Sequence, residues 1–195
     1  MSRLLLIVLA AAMLGEARLP PAQVGADGTS APGVRDVDGR SWPILAPAPR
    51  QRHLLFFVAT DCPISNRYLP ELDRLCREYQ PRGARCFMIY PEAADAGAVR
   101  RHRQEYGIDP SIPAILDRDH RLVAAVGPRV TPEAAIYSTA GRLYRGRIDN
   151  LYIDVGRSRR EATRHDLRLA LDESLAGRPI AQPETDAIGC VIPRS

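Results

Sequence analysis

Of the four cysteines in this chain, Cys62 occupies the position best suited to a chemical role. It follows an apolar run, residues 54–59, and is followed directly by Pro63. The run predicts a central strand covered on both faces, and a proline is favourable in the first turn of a helix. Asp61 is an acceptable N-cap for that helix. We therefore expect Cys62 at a helix N-terminus, where the helix dipole favours the nucleophilic thiolate.

One neighbouring charge opposes a reactive Cys62, and an inert role is the alternative. The neighbouring carboxylate of Asp61 repels the negative charge of a thiolate. A small, inert cysteine buried at the end of a strand is the alternative interpretation. The position at a helix start favours the reactive one.

The elements that would position Cys62 alternate between strand and helix. Strands are predicted at 53–59, 84–90, 113–117, 134–138 and 143–148, and helices at 65–79, 95–106, 120–126 and 164–176. A small hairpin is predicted at 34–44, and residues 149–163 are polar and irregular. This order predicts an α/β fold, a three-layer α/β/α sandwich with a mixed central sheet.

Composition and charge narrow the class of protein. The chain has 195 residues, of which 45% are hydrophobic, enough for one domain with a proper core. Its net charge of +4 comes from 27 basic residues, all arginine, spread between 23 acidic ones. This distribution indicates a solvated surface, so no nucleic-acid partner is expected.

The first residues have the pattern of an export signal. Arg3 is followed by the apolar segment 4–14 and by a small-x-small cleavage site at 15–17, with 24–26 as an alternative site. The apolar segment is too short to span a membrane, so no stable membrane insertion is expected. The mature protein is predicted to be extracytoplasmic, periplasmic or secreted, where disulfides persist. The predicted organisation is a signal peptide at 1–17 (or to 26), a linker at 18–33, one domain at 34–178 and a tail at 179–195.

Several motifs carry a resemblance to known proteins. Cys-Pro-Ile-Ser at 62–65 resembles the active-site turn of the thioredoxin-like superfamily, with Ser65 in place of the second cysteine. Pro70 follows Cys62 by eight residues, as the helix proline of thioredoxins follows their leading cysteine, and Thr131-Pro132 stands where the superfamily has its cis-proline. Residues 61–68, 145–150 and 189–190 are similar to segments of extracytoplasmic redoxin-domain, peroxiredoxin-like proteins. The resemblance covers residues 34–193.

The resemblance implies a thioredoxin-like fold and thiol–disulfide exchange with Cys62 as the nucleophile. It also implies a cis Thr131–Pro132 bond and a substrate groove to which Thr131, Pro132, Pro63 and Ser65 contribute. The expected partners are protein or small-molecule disulfides and thiols, together with an unidentified thiol electron donor. No cofactor and no metal are expected.

A thiolate that attacks a disulfide needs a second thiol to leave the resulting mixed disulfide. Ser65 cannot supply it, and Cys76 and Cys86 are predicted to be core residues, on an apolar helix face and in an apolar strand. Cys190 is the best internal candidate, because it lies on the C-terminal tail. A thiol of another protein, with Cys190 as an unpaired tail residue, is the alternative.

Three other functions stay open at this stage. The first is peroxide reduction by a peroxiredoxin-like thiol peroxidase. Peroxiredoxins carry Pro-x-x-x-Thr-x-x-Cys, but Leu55 and Ala59 occupy the proline and threonine positions here, and Thr60 is one residue out of place. A thiol site for Cu(I) formed by Cys62 and Cys190 is the second alternative, although the four histidines show no ligand spacing. The third is a binding domain whose thiol has no catalytic role.

Overall fold

The computed structural model describes residues 33–93 and 95–193. Its strands are β1 (Val34–Arg35), β2 (Ser41–Trp42), β3 (Arg52–Phe57), β4 (Ala84–Tyr90), β5 (Ala114–Leu116), β6 (Val130–Thr131), β7 (Glu133–Ser138), β8 (Gly141–Gly146), β9 (Tyr152–Asp154), β10 (Arg157–Ser158) and β11 (Cys190–Val191). Its α-helices are α1 (Pro63–Tyr79), α2 (Ala96–Glu105), α3 (Arg121–Val126) and α4 (Asp166–Leu175), and a 3₁₀ helix, Gln80–Arg82, follows α1. Among these residues no helix has both the length and the apolar character needed to cross a bilayer.

Five strands form the central sheet, in the order β5-β4-β3-β7-β8. β3 pairs in parallel with β4, and β4 with β5, whereas β7 pairs antiparallel with both β3 and β8. The side chains of residues 54–57 in β3 are fully buried, as expected of a strand covered on both faces. The predicted mixed sheet is confirmed, and its central strand leads directly to Cys62.

Alternate residues of β3 belong to different layers of the core. Leu54 and Phe56 lie in one apolar cluster with residues of α1, α2 and α4. Leu55 and Phe57 lie in a second cluster with residues of α3 and Ile44. Helices therefore cover both faces of the sheet, which confirms the α/β/α sandwich.

The segments outside the sheet differ from the sequence-based expectation in two places. Residues 149–163, predicted to be irregular, contain the short antiparallel pair β9–β10. The tail contributes β11, which pairs antiparallel with β6. The predicted signal peptide, and all of the predicted linker except Gly33, lie outside the described residues.

Cys76 of α1 and Cys86 of β4 form a disulfide, with their Cα atoms 5.8 Å apart. Both are fully buried, as predicted for core residues. The sequence favours Cys76 as a core residue rather than a partner of another cysteine, and the Cys76–Cys86 bond corrects that interpretation. Apolar periodicity identified the buried face of α1 and the buried strand β4, but it does not indicate that the two sulfurs meet where the helix packs on the strand.

Candidate active site

Cys62 is itself the N-cap of α1, with extended backbone angles (φ −87°, ψ 111°), and Pro63 is the first helical residue. The Ser65 N–H donates to Cys62 Sγ at 3.4 Å. The prediction of Asp61 as the N-cap is therefore wrong. Helical geometry begins at Pro63, so Cys62 is the N-cap residue and its sulfur accepts the capping hydrogen bond. Asp61 lies exposed one residue earlier. A negative charge on Cys62 would lie close to an N–H group of the first helical turn, which stabilises a thiolate.

Two polar side chains of α1 hold the turn that precedes Cys62. The fully buried Ser65 hydroxyl accepts a hydrogen bond from the Ala59 N–H at 3.2 Å. The Asn66 amide donates to the Thr60 carbonyl at 3.2 Å, and its oxygen accepts from His102 Nε2 at 2.8 Å. These bonds fix the end of β3 relative to α1. Burial lowers the pKa of His102, which favours the neutral ring in this network.

The loop that faces Cys62 contains the Thr131–Pro132 bond, which is cis as predicted. Cys62 Sγ lies 3.2 Å from the Thr131 main-chain oxygen. Glu133, 2% exposed, accepts hydrogen bonds from the N–H groups of Arg129 at 2.8 Å and Val130 at 3.3 Å. A buried carboxylate thus holds the residues just before the cis bond. Sequence reasoning missed Glu133, although a charged residue at the start of a buried strand is an unusual signal.

Cys190 reaches this site from the other end of the chain. It forms a disulfide with Cys62, with a Cα–Cα distance of 6.0 Å across 128 positions. In β11, Cys190 is the direct partner of Thr131, and Val191 is the partner of Val130. The pairing that the sequence left open is therefore present in the structure. Cys62 is only 1% exposed in this oxidised form, in which its sulfur is bonded to Cys190.

The tail reaches the site along the outer edge of the sheet. Thr185 anchors it: its hydroxyl lies 2.7 Å from the Tyr144 hydroxyl and accepts from the Arg147 N–H at 3.1 Å. The backbone passes so near Gly146 (φ +153°) that a Cβ there would lie 2.4 Å from the Thr185 carbonyl oxygen. Farther along, Asp186 forms an exposed ion pair with Arg129 at 2.6 Å.

Tyr68 and Asp149 form one wall beside the cis-proline. The buried Tyr68 hydroxyl donates to Asp149 at 2.5 Å, and burial raises the pKa of Tyr68. Pro132 and the tail residue Ile188 line the same narrow crevice. The tyrosine and the aspartate come from two of the segments that carried the resemblance, 61–68 and 145–150, so the fold brings those segments together.

The structure brings together Cys62, Cys190, Thr131 and Pro132 at one point. Pro63 lies exposed at the start of α1, beside this point. Ser65 lies in the first turn of α1 but is buried, and its hydroxyl accepts a hydrogen bond from the Ala59 N–H. Its position is therefore suited to holding the turn before Cys62. Direct contact of Pro63 and Ser65 with a substrate stays a prediction. In the described part of the chain no group of three or more His, Cys, Asp or Glu side chains is arranged to hold a metal ion.

Comparison with known proteins gives structural neighbours only. No protein-family model matches the chain, and no curated protein matches it significantly. An uncharacterized conserved protein from Geobacillus kaustophilus superposes with a TM-score of 0.69 at 23% identity, covering 85% of this chain and 90% of its own. A hypothetical protein from Sinorhizobium meliloti gives 0.68 at 23% identity, covering 84% and 91%. StoA from Bacillus subtilis gives 0.50 at 15% identity, covering 58% and 84%.

The chain has the thioredoxin-like fold. The sheet order, the cysteine at the start of α1 and the cis-proline opposite it agree with this assignment. The likeness to the first two proteins covers 85% and 84% of this chain. At these identities it concerns the fold, and the chemistry has to be argued from the residues of this chain.

Proposed function

We propose that this protein is a thiol–disulfide oxidoreductase that cycles Cys62 and Cys190 between dithiol and disulfide. One observation carries the proposal: Cys62, at the N-cap of α1 and 3.2 Å from the Thr131 carbonyl oxygen, is bonded to Cys190. The helix start favours the thiolate of Cys62, and Cys190 supplies the second thiol that Ser65 cannot.

The exchange has two balanced steps. In the reduced protein, the Cys62 thiolate attacks one sulfur of a substrate disulfide, which forms a mixed disulfide and releases one substrate thiolate. The Cys190 thiolate then attacks Cys62 Sγ, which forms the Cys62–Cys190 bond and releases the second substrate thiolate. The substrate gains the two electrons that the protein loses. The same steps run backwards with a dithiol substrate, and the reduction potentials of the partners set the direction.

Thr131 and Pro132 are proposed to line the groove in which the substrate disulfide meets Cys62, with Pro63 at its rim. Thr131 is a suitable contact because its main chain already pairs with an extended strand, β11. An extended polypeptide or a small disulfide would lie in the same place once the tail has left.

We further propose that the protein works in an extracytoplasmic, oxidising compartment. The signal-like sequence at 1–17 and the disulfide bonding of all four cysteines support this location, because disulfides seldom persist in a reducing cytosol. Cell fractionation with an antibody against the mature chain tests this part separately. Recovery in the cytoplasm with the start of the chain uncleaved would contradict it.

The redox proposal is tested by equilibration with glutathione. The mature protein is incubated at a series of ratios of reduced to oxidised glutathione, quenched with acid, alkylated and mapped by mass spectrometry. We expect Cys62 and Cys190 to titrate together as one two-electron couple. Cys190→Ser should accumulate a mixed disulfide on Cys62. Cys62→Ser should slow exchange with a small test disulfide strongly, because the remaining Cys190 thiol does not lie at a helix start.

Two outcomes would overturn the proposal. One is a Cys62–Cys190 pair that stays oxidised at ratios where the buried Cys76–Cys86 pair is already reduced. The other is exchange that proceeds at the same rate in Cys62→Ser as in the unaltered protein.

A further inference from the structure

We propose that the tail strand, residues 189–192, is an internal copy of the peptide that this site accepts. The inferred partner is an extended polypeptide with glycine directly before its reactive cysteine and a bulky apolar residue two positions after it. This inference rests on the proposed function and adds the substrate class. In the oxidised form the tail occupies the groove, so that a substrate must replace it to reach Cys62.

The backbone of the tail strand is bound by antiparallel main-chain pairing, the mode in which an extended peptide adds to a strand. Cys190 is paired antiparallel with Thr131, and Val191 with Val130. Beyond them, the Ile192 N–H donates to the Arg129 carbonyl at 3.0 Å. Main-chain bonds of this kind bind any extended segment, whereas the pockets for its side chains provide specificity.

The position before the cysteine admits only glycine. Gly189 is buried against the cis-proline loop, and a Cβ on it would lie 2.2 Å from the Thr131 carbonyl oxygen and 2.7 Å from the Thr131 carbonyl carbon. These are backbone atoms of a loop held by Glu133, so they cannot turn aside as a flexible side chain would. Any larger residue would have to lift the strand away from Thr131.

The position two residues after the cysteine selects an apolar side chain. Ile192 is 4% exposed and belongs to the apolar cluster that contains Ile44, Leu122 and Val126. Val191, one residue earlier in the same strand, is 77% exposed. The strand therefore presents one residue to the protein and the next to solvent, as the pleat requires. The site would therefore select the substrate side chain at the Ile192 position and would not discriminate between side chains at the Val191 position.

The experiment uses the mature chain carrying Cys190→Ser, in which Cys62 is the only thiol outside the buried pair. Synthetic copies of residues 187–193 are activated by linking their cysteine to thionitrobenzoate. Attack by the Cys62 thiolate joins it to the peptide and releases the coloured thionitrobenzoate anion, whose appearance gives the rate. The peptides are the unaltered copy, Gly189→Ala, Ile192→Ser and, as a matched control, Val191→Ser.

We expect the unaltered copy and Val191→Ser to react at equal rates. Gly189→Ala should react at least ~10-fold more slowly, and Ile192→Ser about 10-fold more slowly, in line with the loss of one buried aliphatic side chain. Equal rates for all four peptides would overturn the inference. The reaction of Cys62 with a small aromatic disulfide reports on the thiol alone: if that reaction is also absent, the proposed function fails, whereas a fast reaction without peptide discrimination removes only the substrate class.

Discussion

The main-chain oxygen of Thr131 lies 3.2 Å from Cys62 Sγ, and the same residue is the strand partner of Cys190. One residue thus contacts both halves of the disulfide. The buried carboxylate of Glu133 accepts hydrogen bonds from the N–H groups of Arg129 and Val130, the two residues just before Thr131. The position of this loop therefore determines both how closely the tail approaches and how Cys62 is presented after reduction.

The two disulfides should differ sharply in reactivity. Cys76 and Cys86 are fully buried, whereas Cys190 is partly exposed on a short two-residue strand. We expect a mild reductant to open only Cys62–Cys190 in the folded protein, and Cys62 to be alkylated faster than Cys190 near neutral pH because it lies at a helix start. Timed alkylation followed by peptide mapping measures both rates. Labelling of Cys76 or Cys86 before Cys62 would contradict this ordering.

Much of this arrangement follows from local sequence signals. The apolar run at 54–59 and Pro63 placed the end of a central strand and the start of a helix on either side of Cys62. These signals are strong because burial on both faces and a first-turn proline each have few alternatives. The cis bond at Thr131–Pro132 came from the resemblance, since an X–Pro bond alone does not predict its isomer.

The remaining features depend on contacts between distant segments, which local patterns do not encode. The Cys76–Cys86 bond arises where α1 packs on β4, and periodicity shows only that both residues are buried. His102 contributes to the active-site turn from α2, 36 positions away from Asn66. The sequence of the tail strand has no strong β pattern. β11 forms because Cys190 pairs with Thr131 and is bonded to Cys62, and both contacts join distant parts of the chain.

The Cys76–Cys86 disulfide is predicted to contribute to stability and not to exchange. It closes a short loop, with a sequence separation of 10. Restricting the unfolded chain by such a loop is worth about 2–3 kcal/mol in the entropy model. We expect the double variant Cys76→Ala/Cys86→Ala to unfold at a temperature lower by about 5–10 °C. Its rate of exchange with a small disulfide should equal that of the unaltered protein, and a large fall in that rate in the folded variant would assign this pair a redox role.

Stability should decrease in mild acid because of two buried histidines. Burial lowers the pKa of both His53 and His102, so each folded-state pKa lies below the unfolded value of about 6.5. As the pH falls below that value, the unfolded chain takes up protons before the folded one does, and the free energy of unfolding decreases. The stabilising contribution of the two neutral histidines is fully present above their pKa in the unfolded chain.

Melting temperatures measured between about pH 7.5 and 5.5 test this dependence. His102→Gln removes one titrating group while an amide can still donate to Asn66, so we expect a smaller decrease in melting temperature over this range. The exposed His165 offers a matched control, and His165→Gln should retain the full decrease. A steeper decrease in His102→Gln than in the unaltered chain would contradict the assignment.

The tail is predicted to control how readily Cys62–Cys190 forms. Gly189→Ala would place a methyl group against the Thr131 carbonyl, and Ile192→Ser would remove an apolar side chain from the core. Both changes disfavour the docked tail, so each should shift the equilibrium with glutathione toward the dithiol, by about 10-fold in the equilibrium constant for Ile192→Ser. Val191→Ser alters an exposed side chain of the same strand and should leave the equilibrium unchanged. The measurement is the oxidised fraction at fixed glutathione ratios, with the melting temperature of the reduced protein confirming that each variant is folded. An equilibrium that is the same in all three variants would show that the disulfide forms without docking of the strand against Thr131.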